Sequence, residues 1–115
     1  MCQYIETIRV VDGCICNLAY HEERLNRTRK EMLGLTEPLR IADLLQSVSL
    51  PMECSKLRFV YDKGGIHDIT CTPYIRKEIN SLRLVYDNNI HYPYKSTDRS
   101  QLNELKKQQG DCDEI

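Results

Sequence analysis

Asp12 and Gly13 lie between two short stretches whose side chains alternate between polar and apolar types. Glycine adopts a positive φ without steric cost, so an Asp-Gly pair between β-like stretches is the strongest short-range signal for a hairpin. The pattern therefore predicts two antiparallel strands, at about residues 3–10 and 14–18. Because tight turns join antiparallel neighbours, this feature favours an antiparallel sheet over a parallel one.

After the hairpin the pattern changes to a helical period. Between residues 19 and 33, apolar side chains recur at spacings of three and four, and Gly34 is placed to end the helix. The polar residues His21, Arg24 and Thr28 share an adjacent face of this predicted helix.

A second helix is predicted from Thr36, the capping residue, with Pro38 in its first turn. Its apolar residues form one stripe, which comprises Ile41, Leu44, Leu45 and Val48. Pro51 ends it. No residue of this helix suggests chemistry, so we predict that it contributes packing alone.

Three further strands are predicted, at about residues 57–61, 66–72 and 81–86. Asp62 to Gly65 forms the turn between the first two. The order of elements, with no alternation of strand, helix and parallel strand, indicates an α+β fold: an antiparallel sheet with two helices on one face.

The pattern breaks at residues 87–89, and the residue before Pro93 avoids the α region, so a linker is predicted here. Ser96 or Thr97 can cap one C-terminal helix, over about residues 98–109, which Gly110 ends. The predicted organisation is an N-terminal domain over residues 1–89, a linker over 90–97 and the start of a second domain over 98–115.

The composition excludes several classes of function. The chain has 115 residues, of which 41% are hydrophobic and 29% charged, as in a soluble globular protein. A net charge of −1 gives no electrostatic reason to expect nucleic acid. No apolar stretch approaches the roughly 18 residues of a membrane span, and the N-terminus lacks the layout of a signal peptide. We therefore expect a cytoplasmic protein with neither a membrane nor a nucleic acid as partner.

The six cysteines do not form a recognisable metal or redox motif. They include no C-x-x-C pair, and only Cys14 and Cys16 are close in sequence. Small buried thiols in a reducing cytosol are the simplest interpretation, with metal binding as the weaker alternative. We predict no metal site.

Two sets of residues occur in an order known from one enzyme family. The first set is Glu6-Thr7-x-Arg9-x-x-Asp12-Gly13, followed by His21-x-x-Arg24-Leu25. The second set is Tyr94-Lys95-Ser96-x-x-Arg99-x-x-Leu102-Asn103-x-Leu105, followed by Asp111-x-Asp113-Glu114-Ile115. Together they resemble the class IV aminotransferases, the fold-type IV pyridoxal-phosphate enzymes, which include branched-chain and D-amino-acid aminotransferases and aminodeoxychorismate lyase. Two matches in the right order are more specific than either alone.

The resemblance implies a site built on two residues. Lys95 matches the catalytic lysine, which forms a Schiff base with pyridoxal 5'-phosphate, and Arg24 matches the arginine that holds the cofactor phosphate. A guanidinium offers paired donors suited to phosphate oxygens. The family also implies a homodimer and a small-molecule substrate, either an amino acid or an amino-chorismate-type compound. The sequence does not identify substrate-binding residues, nor does it separate transaminase from lyase.

Each of these side chains also has a structural interpretation. Arg24 follows two glutamates and could be a solvated helix residue. Arg99 could face the pocket of Lys95 or pair with Asp98 or Glu104, and we slightly favour the pairing. His21 is more often structural than chemical at such a position. Three tyrosines could line a substrate pocket or simply pack, namely Tyr61, Tyr92 and Tyr94.

The family pattern continues beyond the residues present in this sequence. In the family, a second domain supplies a carboxylate for the pyridine nitrogen and backbone amides for the phosphate, so the chain resembles a truncated enzyme. Two hypotheses follow: a pyridoxal-phosphate enzyme that uses Lys95 and Arg24, or a catalytically inactive domain that self-associates or binds a partner. The second hypothesis is motivated by the thin apolar face of helix 98–109 and by the strand expected to begin at Asp113.

Overall fold

A four-stranded antiparallel sheet is the centre of the protein in the computed structural model, which describes residues 2–115. The strands are β1 (Tyr4–Val11), β2 (Cys14–Ile15), β3 (Ser55–Asp62) and β4 (Gly65–Pro73). They are arranged in the order β2-β1-β3-β4, and every neighbouring pair is antiparallel. This arrangement confirms the predicted α+β class.

The register of β1 on β3 places the core on one face of the sheet. Tyr4 lies opposite Tyr61, and Ile8 lies opposite Leu57. Facing residues of an antiparallel pair point to the same side, so these side chains form one apolar layer. Two helices cover that layer, α1 (Leu18–Leu33) and α2 (Ile41–Leu44). They contribute Leu25, Ile41 and, just after α2, Leu45 to the core.

The predicted hairpin and first helix are confirmed, with small differences in length. Asp12 and Gly13 have φ angles of 53° and 73°, as a tight hairpin turn requires. Strand β2 ends at Ile15 rather than at residue 18, because Asn17 adopts the left-handed conformation and caps α1. Gly34 ends α1 with a φ of 68°.

The second helix is much shorter than predicted. Only α2 is helical in the predicted stretch, because side chains of α1 bind the backbone of the preceding loop. Asn26 accepts from the Leu39 N–H at 2.8 Å and donates to the Leu39 carbonyl at 2.9 Å. Glu22 accepts from the Ile41 N–H at 2.8 Å, and Arg29 donates to a carbonyl of the same loop. These backbone groups are therefore paired without a helix.

The prediction of a strand at residues 81–86 is wrong. In this stretch only Leu82 takes part in a β-bridge, which is parallel and isolated, with Glu114. Leu84 and Tyr86 are 80% and 88% exposed. A strand is stabilised by cross-strand neighbours, and the described residues provide none for these side chains.

The C-terminal helix is confirmed, although its start differs from the prediction. Helix α3 (Ser100–Lys106) continues into a single 3-10 turn (Lys107–Gln109), and Gly110 follows with a φ of 61°. Neither Ser96 nor Thr97, the predicted cap residues, binds the first turn of α3. Instead the Asp98 carboxylate accepts a hydrogen bond from the Ser100 N–H at 3.0 Å.

Within residues 2–115, no helix combines the length and the apolar character that crossing a membrane requires.

Candidate functional site

The predicted linker forms part of the sheet edge. Ile5 donates its N–H to the Lys95 carbonyl at 2.9 Å, and Thr97 donates its N–H to the Gln3 carbonyl at 2.9 Å. Tyr4 and Ser96 form the antiparallel bridge between these two bonds. The backbone of Lys95 is therefore fixed against the first residues of β1.

Lys95 is half-buried, and its pKa is lowered from the ordinary lysine value of 10.5. Burial is the main cause, because it disfavours the charged ammonium. The Arg24 guanidinium and, more weakly, Arg99 lower the pKa further, whereas the Glu6 carboxylate opposes the shift. The structure thus brings the two predicted site residues, Lys95 and Arg24, into one electrostatic environment.

Glu6 is the centre of this environment. Its side chain is fully buried, and its Oε2 accepts from Arg24 Nε at 2.8 Å. Its Oε1 accepts from Arg24 Nη2 at 2.8 Å and lies 2.9 Å from His21 Nδ1. A buried charge requires an ion partner and hydrogen bonds, and Glu6 has both.

Arg24 keeps its positive charge at this position, since the hydrogen bonds to Glu6 raise its pKa. The guanidinium edge formed by Nε and Nη2 faces Glu6, so the edge that carries Nη1 is directed elsewhere. The side chain is 35% exposed. It borders an open cavity of about 540 Å³, which is lined by Asn17, Tyr20, His21, Glu23, Arg24 and Arg27.

Two fully buried hydroxyls lie beside this ion pair. Thr28 Oγ1 and the Tyr61 hydroxyl are close enough to interact with each other, but neither has a hydrogen bond of good geometry in the described part of the chain. Burial raises the pKa of Tyr61 to about 12, and Thr28 opposes the shift only in part. Glu6 and Arg24 also act on Tyr61, in opposite directions. Tyr61 is therefore a neutral core residue rather than the wall of an open pocket.

Tyr92 and Tyr94 line a different cavity, of about 410 Å³. The Tyr94 hydroxyl donates to Glu31 Oε2 at 2.7 Å, which raises the pKa of Tyr94. The Tyr92 hydroxyl donates to the Ser96 carbonyl. Both hydroxyls are thus bound within the protein, and they hold the linker in place.

Arg99 is exposed and does not form the ion pair that we favoured. Asp98 accepts from Ser100, and Glu104 pairs with Lys107 at 2.6 Å. The influence of Arg99 on Lys95 is the weakest of the three charges that act there.

The cysteines differ in burial from the prediction. All six are free, but Cys2 and Cys14 are exposed and the others are half-buried, so the expectation of buried thiols is wrong. Across residues 2–115, no three His, Cys, Asp or Glu side chains converge as metal ligands.

The residues of this site suit two ends of pyridoxal phosphate. Lys95 offers an amine whose lowered pKa favours the neutral form, and Arg24 offers a cationic edge for a phosphate. A third requirement is a carboxylate for the pyridine nitrogen. The one fully buried carboxylate here, Glu6, is already engaged by Arg24 and His21.

Sequence reasoning did not assign a role to Glu6, although a signal was present. Glu6 lies two residues from both Tyr4 and Ile8 in β1, so its side chain points to the same face of the strand as theirs. That face is the one directed to the core. A charged residue at such a position requires a partner. Arg24, on the helix that covers this face, is that partner.

No protein-family model matches the chain. It is 31% identical, over 114 residues, to an uncharacterized protein of Haemophilus influenzae strain Rd, and the match covers 96% of this chain and 60% of that protein. A solved crystal structure from Haemophilus somnus 129Pt, described as a candidate 4-amino-4-deoxychorismate lyase, superposes with a TM-score of 0.84. That match has 24% identity and covers 98% of this chain and 61% of the solved chain.

The chain therefore has the fold of the corresponding part of the solved chain. It spans about three fifths of the length of both matched proteins.

Proposed function

We propose that the chain belongs to a pyridoxal-phosphate-dependent protein of the class IV aminotransferase and aminodeoxychorismate lyase type. Lys95 is the catalytic, Schiff-base lysine, and Arg24 binds the cofactor phosphate. The observation that carries the proposal is the pairing of Lys95 with β1, which holds its half-buried amine in the electrostatic environment of Arg24. Arg24 and Lys95 are 71 positions apart in sequence, yet the Arg24 charge acts on the Lys95 amine.

Lys95 can act first as a nucleophile and later as a proton carrier. Burial and the Arg24 charge favour its neutral amine, which can attack an aldehyde and can hold or release a proton at the substrate α-carbon. Bound pyridoxal phosphate supplies the electron sink for that carbanion chemistry. The Nη1 edge of Arg24, which is not used by Glu6, supplies paired donors for the phosphate.

The rest of the site belongs, in this proposal, to a second domain. The chain divides into an N-terminal domain over residues 1–89, a linker over 90–97 and the start of the second domain over 98–115. The parallel bridge between Leu82 and Glu114 links these two parts, and large apolar side chains are exposed beside it. The part of the matched proteins that this chain does not span would cover them and supply the carboxylate for the pyridine nitrogen.

We further propose a cytoplasmic homodimer that acts on an amino acid or an amino-chorismate-type substrate. The name of the solved protein supports the second substrate class. The lyase and aminotransferase reactions use the same lysine, so Lys95 and Arg24 have the same roles in either case.

The test is covalent trapping of the pyridoxal-phosphate aldehyde on the protein. The protein is mixed with pyridoxal phosphate and reduced with borohydride, and the modified peptide is identified by mass spectrometry. The Lys95 nitrogen bonds to the aldehyde carbon with loss of water, and hydride reduces the resulting double bond to a stable amine. We expect one adduct per chain, on Lys95, at a pH below the usual lysine pKa of about 10.4.

Two lysine variants are the controls. Lys95→Met should abolish the adduct, whereas Lys63→Met, in the exposed turn between β3 and β4, should leave it unchanged. Partial labelling spread over many lysines, with no loss in Lys95→Met, would contradict the proposal.

A second function, as an interaction module, is favoured by one observation. Large apolar side chains are exposed along one stretch: Tyr74, Ile75, Ile79, Leu82, Leu84 and Tyr86. Helix α3 is less apolar at its surface, because Leu102 and Leu105 are half-buried. If this stretch mediates self-association, sedimentation equilibrium will show a concentration-dependent oligomer that Leu84→Asp disrupts. A monomer at all concentrations would exclude self-association.

A further inference from the structure

Both carboxylate oxygens of Glu6 are held by neighbouring side chains. Three donor atoms reach it, two from Arg24 and one from His21, and no part of its side chain is exposed. A carboxylate only accepts hydrogen bonds, so His21 adds a third bond in the tautomer that carries a proton on Nδ1. Both neighbours come from α1, one helical turn apart, whereas Glu6 belongs to β1.

The geometry of the contact fixes the orientation of the guanidinium. Arg24 Nε and Nη2 lie 2.8 Å from Oε2 and Oε1, in the two-pronged arrangement that is the most directional for arginine. A single hydrogen bond would leave the guanidinium free to rotate about its last bonds. Two bonds to a fully buried carboxylate leave the Nη1 edge in one defined direction.

We propose that Glu6 is a positioning residue. It holds the Nε and Nη2 edge of the Arg24 guanidinium, so that the edge carrying Nη1 is presented to the phosphate of the ligand. This inference rests on the proposed function of Arg24. His21 supports the arrangement by restraining Oε1 from the other side. Glu6 itself does not touch the ligand.

The proposal is tested by comparing two aldehydes that differ only in the phosphate. The ratio of the affinities for pyridoxal phosphate and for pyridoxal, each measured by trapping on Lys95, isolates the contribution of the phosphate site. We expect Glu6→Gln to lower this ratio roughly tenfold, the lower end of the effect of removing a group that orients a metal ligand. Binding of pyridoxal itself should change little.

Two further variants separate positioning from charge and from stability. Glu6→Asp keeps the charge but is too short to reach both nitrogens, so it should lower the ratio as Glu6→Gln does. Ile8→Val removes a buried methylene from the same strand and should leave the ratio unchanged. If Glu6→Asp behaves as the wild type, or if Ile8→Val lowers the ratio equally, the positioning role is overturned.

A measurement on the unmodified protein decides the question if the Glu6 variants do not fold. Nitrogen-resolved NMR follows the arginine side chains during titration with inorganic phosphate. The Arg24 signals are identified as those that disappear in Arg24→Lys. We expect the Arg24 Nε–H signal to keep its carboxylate-bound position while the Nη1 protons shift. Loss of the Nε–H position would mean that phosphate replaces Glu6, and no shift at all would mean that this edge binds no phosphate. Either result overturns the inference.

The two proposals fail in different ways. The absence of a Lys95 adduct with both aldehydes overturns the proposed function, and the phosphate titration still decides the role of Glu6. An adduct whose phosphate dependence is insensitive to Glu6 overturns only the positioning role.

Discussion

Strand β3 and residues 81–86 have similar sequence patterns but different structures. Both contain β-branched, aromatic or leucine residues in alternation, and both are predicted as strands. In β3, Leu57 is fully buried between β1 and β4, whereas Leu84 is 80% exposed. The difference lies in the neighbours and not in the pattern. A strand pattern forms a strand where adjacent strands complete its hydrogen bonds and cover its apolar face.

The same contrast extends to the polar residues of the two regions. Around β1 and α1, the buried Glu6 and the half-buried Asn26 each make several hydrogen bonds. In the C-terminal region, Glu104 and Lys107 pair at the surface, where each is 70% exposed. We therefore expect mutations in the first region to affect folding far more than equivalent mutations in the second.

The largest difference is expected for a pair of leucine truncations. Leu57→Ala should lower the free energy of unfolding by about 2–5 kcal/mol, because it leaves a cavity in the core. Leu84→Ala should change it by less than about 0.5 kcal/mol. Urea unfolding of both variants measures the contrast. A large loss in Leu84→Ala would mean that this side chain is covered in solution, which repeating the measurement at several protein concentrations would reveal.

A smaller difference is expected for two amide side chains that bind the backbone. Asn26→Ala should cost about 1–2 kcal/mol, since it removes both bonds to the half-buried Leu39. Gln101→Ala removes the bond to the exposed His91 N–H and should cost less than about 0.5 kcal/mol. Thermal unfolding of the two variants compares them. Equal losses would contradict our explanation for the short α2, which makes Asn26 the residue that holds the loop.

The smallest effect is expected for the pH dependence that His67 contributes. Its Nε2 lies 2.9 Å from Asp62 Oδ2 and its Nδ1 lies 3.1 Å from Asp68 Oδ2, and hydrogen bonds to these carboxylates raise the pKa of His67. Gln3 also donates to Asp62, at 3.2 Å. Because the raised pKa belongs to the folded state, the stabilisation is complete below the unfolded value of about 6.5 and is lost as pH rises through the folded value.

Replacing this histidine should therefore flatten the stability profile above about pH 6.5. The urea midpoint of His67→Gln, measured at a series of pH values and compared with that of the wild type, tests the expectation. A wild-type slope in His67→Gln would show that other groups cause the dependence. The pKa of Asp62 is lowered by the same pair, so this contribution also declines as pH falls through the folded-state pKa of Asp62.

The candidate site was predictable in part. Lys95 and Arg24 follow from the family resemblance, and the structure places them in one environment. Glu6 carried a local signal that sequence reasoning did not use. The pairing of Lys95 with Ile5 had no signal, because a linker with mixed polar and aromatic residues does not specify which strand edge it joins.

The sequence by itself determined the features that depend on local backbone preferences. The turn at Asp12 and Gly13, the end of α1 at Gly34 and the end of the C-terminal helix at Gly110 all follow from residues that accept a positive φ.

Only the tertiary structure decided the features that depend on distant neighbours. Side chains of α1 bind the backbone around the start of α2 and so replace helical hydrogen bonds. Residues 81–86 do not form a strand, because they lack adjacent strands to pair with. The ion pair of Glu6 and Arg24 likewise forms only when α1 packs on β1. Backbone preferences act over a few residues, whereas burial and hydrogen-bond pairing depend on which segments meet in the folded chain.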